Sequence, residues 1–188
     1  VKAATAGDAW GRVRALQDLA ASPLESSRMQ AYLYRELAFS LRHPEVMDRD
    51  ASREAIRQAR EATPDDPSVL NEWAYMSSVD EVDLAEALEA VDEALALLLG
   101  EPFNLMALDP GQSFSEYEID RSETVGAFID TRGWVLYQLD RHEEAVQKVA
   151  VHAHRLQAVG GLADGSQPLA AQRGHELLAH NRAQRLVH

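Results

Sequence analysis

The sequence predicts an all-α protein of helices stacked in pairs, and three observations carry that prediction. Small residues recur on one lattice: Leu37-Ala38 followed by Ala55, Ala59, Ala62 and Pro67; Ala74 followed by Ala87, Val91 and Ala94; Gly133 followed by Ala145 and Val149. The recurrence has a period in the thirties of residues, the length of a helix pair with its turns. No segment alternates apolar and polar residues with period two, so no strand is expected.

The elements follow in order. Asp8 caps a first helix with Ala9, Val13, Leu16 and Ala20 on one stripe, and Pro23 ends it. Ser26 or Ser27 opens a second, in which Leu33, Leu37 and Leu41 repeat every four residues, and His43-Pro44 closes it. A polar connector to Asp50 precedes a third helix with Ala55, Ile56, Ala59 and Ala62 inward, stopped by Thr63-Pro64-Asp65-Asp66-Pro67. A fourth starts near Ser68 with Leu70, Trp73, Ala74 and Ser77. A fifth runs from about Asp83 to Leu99 with Leu84, Leu88, Val91 and Leu95 on one side.

The rhythm then breaks. Gly100, Pro102, Pro110 and Gly111 mark residues 100–121 as irregular, while Phe103, Leu105, Met106, Leu108, Phe114 and Tyr117 make the segment a packed insertion rather than a free linker. Folded back, Phe103 or Phe114 would cover a neighbouring groove. Ser122-Glu123 starts a sixth helix through Phe128, Ile129, Gly133, Leu136 and Tyr137. Arg141 to about Leu156 makes a seventh with Ala145, Val146 and Val149 inward, and after the turn Gly160–Gly165 a closing helix spans about 167–187.

Two antiparallel helices approach closely only where facing side chains are small, which is the role assigned to Ala38, Ala74 and Gly133 in the first helix of each pair and to Ala55, Ala87 and Ala145 in the second. Leu70-Asn71-Glu72-Trp73-Ala74-Tyr75 with Glu86-Ala87-Leu88 and Ala94-Leu95 resembles a tetratricopeptide repeat. So does Asp130-Thr131-Arg132-Gly133-Trp134-Val135-Leu136-Tyr137 with Glu143-Glu144-Ala145-Val146, and Glu36-Leu37-Ala38-Phe39 with Glu54-Ala55-Ile56 is a looser copy ending on Pro67. The resemblance covers roughly residues 28–157, as repeats at about 28–67, 68–99 and 122–157. It departs from the family pattern in extra residues within the first copy, in the insertion, and in His152, where a small residue is expected. It implies a right-handed α-α superhelix of about three such pairs, with an extra N-terminal helix and a C-terminal capping helix, in one domain over 1–188.

In that family the first helices line a concave groove that holds a partner peptide or helix. Carried over residue by residue, the groove positions are Tyr32, Arg35, Phe39 and Arg42 in the first copy, Asn71, Tyr75 and Ser78 in the second, and Asp130, Trp134 and Tyr137 in the third. Phe39, Tyr75 and Trp134 each follow a small contact residue and form a ladder of rings suited to anchoring apolar segments; the alternative is that they pack on neighbouring helices. The family's peptide-carboxylate clamp uses lysines and asparagines. The chain has only Lys2 and Lys148, neither at a groove position, leaving Arg35, Arg42 and Asn71 for such a role.

A formal net charge of -13 with 46% hydrophobic residues excludes nucleic acid and anionic membrane as partners and favours basic ones. No apolar run spans a bilayer, and without cysteine there are no disulfides or thiolate sites. The chain opens on Val1 with no basic-then-apolar leader, as a trimmed fragment or processed protein would; a cytoplasmic location is the expectation, with the compartment not encoded.

His175-Glu176-Leu177-Leu178-Ala179-His180 is the one string of enzymatic character. It resembles the zinc-binding hexapeptide of dipeptidyl peptidase III, with Ala179 where that family has glycine and no acidic residue after His180 to complete the ligands. Histidines five apart lie about 140° round a regular helix, so both reach one metal only if the helix is distorted. His152 and His154, two apart, point to different sides. Asp109, Glu116, Glu118 and Asp120 lack the spacing of a calcium loop. The expected function is a protein-interaction scaffold without catalytic residues, metal or cofactor; the alternatives are a metal-binding or zinc-hydrolase module on the closing helix and a self-associating repeat.

Overall fold

The computed structural model describes residues 8–22, 24–100, 109, 111 and 113–145. Those residues are all-helical, with no strand among them: α1 (Ala9–Ala20), α2 (Ser27–Leu41), α3 (Arg49–Ala62), α4 (Pro67–Asp80), α5 (Leu84–Gly100) and α6 (Phe114–Gln138), then a helical turn over 142–145. The chain divides into two compact units, Val1–Gly100 and Glu101–His188.

In the first unit the helix starts are set by side-chain caps. Asp8 accepts from Gly11 N–H, Ser26 from Met29, Asp48 from Ala51, and Asp66 from both Ser68 and Val69. Pro67 does not stop α3 but opens α4, where its fixed φ suits the first helical position. α2 packs on α3 and α4 on α5, while α1 lies on α2 and α3 on α4. Ala38, Ala59, Ala74, Ala87 and Ala94 are wholly excluded from solvent, with Ile56, Val69, Leu70, Met76 and Val91 filling the space beside them.

On α5 the lattice residues Ala87, Val91 and Ala94 face inward as expected, while the leucines expected on the same side as Val91 do not lead the stripe. Ala87, Ala90, Val91 and Ala94 are buried, whereas Leu84, Leu88 and Leu95 are half-buried. The reason is steric: α4 approaches along the alanines because only a methyl fits between closely packed backbones, and the leucines are displaced to the flanks.

The interhelix bonds fix directions. Arg12 pairs with Glu36 while Gln30 and Tyr34 donate to the Ala20 carbonyl, so α1 runs antiparallel to α2. Arg35 pairs with Glu72, and seven residues on Arg42 pairs with Asp80, so α2 and α4 run parallel, side by side.

The turns repeat as well. After Ala74, the Ser77 carbonyl accepts from Val82 N–H at 3.0 Å with Glu81 left-handed at φ 56°; after Gly133, the Leu136 carbonyl accepts from Arg141 N–H at 2.9 Å with Asp140 at φ 59°. After Ala38 it is again the third residue, Leu41, whose carbonyl closes the turn, accepting from Asp48 N–H at 2.9 Å. The turn there is two residues longer, and Met47 takes the left-handed position at φ 52°. A left-handed non-glycine residue carries a backbone penalty of about 1–2 kcal/mol, so Glu81→Gly is expected to raise the urea midpoint, by a stability gain of roughly 1 kcal/mol. A loss would show that the Glu81 side chain matters more than its backbone.

In the second unit, the sixth helix begins eight residues before the predicted Ser122, inside what the sequence presents as an irregular insertion. Ser113 and Glu116 form a capping box: Ser113 Oγ accepts from Glu116 N–H, and the Glu116 carboxylate accepts from Ser113 N–H at 2.7 Å. Those bonds hold the Glu116 carboxyl below its ordinary range. Phe128, Thr131, Val135, Leu136 and Ala145 are buried in this unit, whereas Phe114 at the helix start is exposed. Residues 101–108, most of the seventh helix with His152 and His154, and the closing helix with the His175–His180 string lie outside the described residues.

Candidate functional site

α2 carries its groove residues at 32, 35, 39 and 42, steps of three and four that keep one face of a helix. The structure separates them into two kinds. From Ala31 to Leu41 the exposed residues are Tyr32 and Phe39, at 52% and 43% exposure; throughout α4 the exposed residue is Tyr75, at 48%. Every other side chain on these two stretches is at least partly buried. The pairs Arg35–Glu72 and Arg42–Asp80 bracket Phe39 on α2 and Tyr75 on α4, so these two exposed rings fall in the same stretch of the two parallel helices, with Tyr32 two turns earlier on α2.

The arginines between the rings are occupied. Arg35 Nε donates to Glu72 at 2.5 Å and its Nη2 to the other carboxylate oxygen; the bonds to Glu72 raise the Arg35 guanidinium above its ordinary value, against partial burial. Arg42 donates from both Nη atoms to Asp80 and from Nε to Ser52 Oγ at 3.0 Å, and Ser52 in turn donates to the Ala38 carbonyl at 2.9 Å. These two arginines therefore clamp α2 to α4 rather than standing open for a peptide carboxylate.

The remaining groove positions of α4 also turn inward. Ser78 is buried with its hydroxyl donating to the Tyr75 carbonyl at 2.7 Å, and Asn71 is partly buried with Oδ1 lacking a hydrogen-bond partner among the described residues. Ser78 belongs to the core because α4 is covered on most of its circumference by α3 and α5.

The third-copy positions lie in the second unit. Trp134 and Tyr137 are partly buried and stack with ring centroids 5.5 Å apart, and Tyr137 meets the His142 ring at 5.0 Å. Asp130 sits at the surface, and partial desolvation raises its carboxyl above the ordinary range. The indole and phenol here are partly buried and stacked, unlike the exposed rings of the first unit.

One functional group escaped the sequence reading. Asp80, the last residue of α4 and 2% exposed, receives Arg42, Arg49 at 3.2 Å and Arg53 at 3.9 Å. A signal for it was present. Residues 61–120 contain sixteen Asp and Glu and no Lys or Arg, so an acid of that stretch that forms an ion pair must reach a cation outside it, and some arginines of α2 and α3 meet that need. They do so through Glu72, Asp80 and, for Arg60, Glu86; Arg60 also stacks over Trp73 at 4.6 Å.

On the opposite side from the rings, a cavity of about 350 Å³ lies over Ile56, Trp73 and Met76, rimmed by Arg53, Arg57, Arg60, Asp83 and Glu86. Its arginines are paired: Arg53 with Asp50, Arg57 with Glu54 and Glu61. Among the described residues no group of three or more His, Asp or Glu is placed to hold a metal ion, and no helix is long and apolar enough to cross a membrane.

No protein-family model matches the chain, and no curated protein or solved structure matches it.

Proposed function

We propose that the chain is a protein-interaction scaffold of tetratricopeptide-like helix pairs, which docks a peptide, helix or partner domain on the face formed by the first helices of its pairs. The observation that carries the reading is the exposure of Tyr32, Phe39 and Tyr75, each about half open to solvent on two otherwise covered helix stretches. Large rings held on packed helices lose little side-chain freedom on binding and bury much area, which is why such residues dominate interface energetics. The repeat part of the reading is supported by the common turn closure at Leu41, Ser77 and Leu136 and by the alanine seams.

The test is retention of a bound protein by the unaltered chain and by the variant Phe39→Ala with Tyr75→Ala. Loss of the retained protein at unchanged far-ultraviolet circular dichroism is expected; full retention would contradict the proposal. A mass that rises with concentration, and is abolished by the same substitutions, would identify the partner as a second copy of the chain.

A further inference from the structure

We infer that the cavity over Ile56, Trp73 and Met76 is a second binding site, which takes an arginine side chain from a basic segment of a partner protein. None of the exposed rings lines it, so it stands apart from the docking face proposed above. Its size, its charge and one arginine already seated there point to that occupant.

A volume of about 350 Å³ is at the small end of ligand pockets, room for a side chain rather than for a folded element. The floor is apolar, with Ile56, Trp73 and Met76 all buried, and the charged groups stand at the rim. A side chain with a long methylene stem and a charged head matches that layout, stem down and head at the rim.

The sign of the head follows from the pairing. Arg53 is met by Asp50, Arg57 by Glu54 and Arg60 by Glu86, while Asp80 and Glu61 give Arg53 and Arg57 a second carboxylate each. Asp83 is left over. Its carboxylate has no hydrogen-bond or ion-pair partner among the described residues, and it does not cap α5, although Asp8, Asp48 and Asp66 each cap the helix that follows them. With φ 49° it is left-handed, outside the extended backbone typical of an N-cap. The rim therefore carries one more carboxylate than its own guanidiniums neutralise, so it attracts a cation.

Arg60 shows how a guanidinium sits here. It lies over the Trp73 ring at 4.6 Å and donates to Glu86 at 2.7 Å. An incoming arginine repeats that arrangement beside it, with its stem on Ile56 and Met76 and its head shared between Asp83 and the exposed Glu86 carboxylate. The planar fork of a guanidinium matches a carboxylate through two hydrogen bonds, which is why arginine fits the site better than lysine.

The experiment titrates the full chain with three probes: a short arginine-bearing peptide with blocked ends, the same peptide with citrulline in place of arginine, and spermidine. The indole N–H resonance of Trp73 is followed, with those of Trp10 and Trp134, which do not line the cavity, as references. Saturable movement of the Trp73 signal by the arginine peptide is expected, with clearly weaker binding of the other two probes. The binding should weaken roughly fivefold or more in Asp83→Asn and in Glu86→Gln, and by less than about twofold in Glu89→Gln, the same charge change on α5 outside the cavity. These substitutions are exposed and close in shape, and unchanged circular dichroism verifies the fold of each variant. Equal binding of the citrulline peptide, equal weakening in Glu89→Gln, or a Trp73 signal that no probe moves would overturn the inference. Spermidine acting as strongly as the peptide would overturn the assignment to a protein segment.

Discussion

Asp80→Ala is expected to cost about 3–5 kcal/mol of unfolding free energy, the largest effect of any single polar substitution in the first unit. Asp80 ends α4, where the helix dipole disfavours a carboxylate, and its side chain is almost wholly buried. Three arginines from the preceding pair hold it there: Arg42 from the C-cap of α2, and Arg49 and Arg53 from the first turns of α3. Removing the carboxylate leaves Arg42, itself mostly buried, with Ser52 as its remaining described side-chain partner.

The cost is then the penalty of an uncompensated buried charge rather than the value of one ion pair. Arg42→Met combined with Asp80→Leu should recover most of the loss, since neither charge is left behind and the more exposed Arg49 and Arg53 can turn to water. Urea unfolding monitored by circular dichroism checks both variants. A loss below about 1 kcal/mol for Asp80→Ala would place the cluster among surface ion pairs of little consequence.

Ala74→Leu is expected to destabilise by about 2–3 kcal/mol, at the upper end of overpacking costs. Ala74 and Ala87 have no solvent exposure where α4 meets α5, and the bulk of the isobutyl group must be accommodated by moving one helix or by an unfavourable rotamer. The same substitution at Ala96, exposed on α5, should change stability by less than about 0.5 kcal/mol, because the added bulk can extend into solvent. Equal effects at both positions, read from the same urea transitions, would remove the steric argument for the small residues.

The first unit was largely legible from its residues because its signals are local. Asp8 and Ser26 sit where caps are needed, the alanines mark the seams, and Trp73 with Ser77 falls on the buried stripe of α4 as the periodicity requires. The errors came where a decision depends on a neighbour. Leucine on α5 outranks alanine in any hydrophobicity count, yet the approach of α4 selects the alanines. Pro110 and Gly111 masked the capping box at Ser113 and Glu116, whose spacing alone would have moved the start of α6 to Phe114.

The face of α2 was readable and its chemistry was not. Periodicity put Tyr32, Arg35, Phe39 and Arg42 together, but whether an arginine is open or clamped depends on the register of α2 against α4, which no residue of α2 encodes. The missing clue lay in the charge distribution along the chain, with no cation between 61 and 120 to satisfy Glu72 and Asp80 locally. Ser78 shows the same limit: its position on the groove stripe is right by periodicity, and the crowding around α4 buries it.

The most direct measurement of whether small residues let paired helices touch uses the absence of native cysteine. In the double variant Ala74→Cys with Ala87→Cys, the introduced thiols are the sole ones, and mild oxidation should join them into an intramolecular disulfide with helicity retained, because the bond requires Cα atoms within about 7 Å. The pairing of Ala74→Cys with Glu89→Cys, whose second site is exposed on α5, should stay reduced under the same conditions. Free thiols at 74 and 87 in a folded, helical protein would contradict the account.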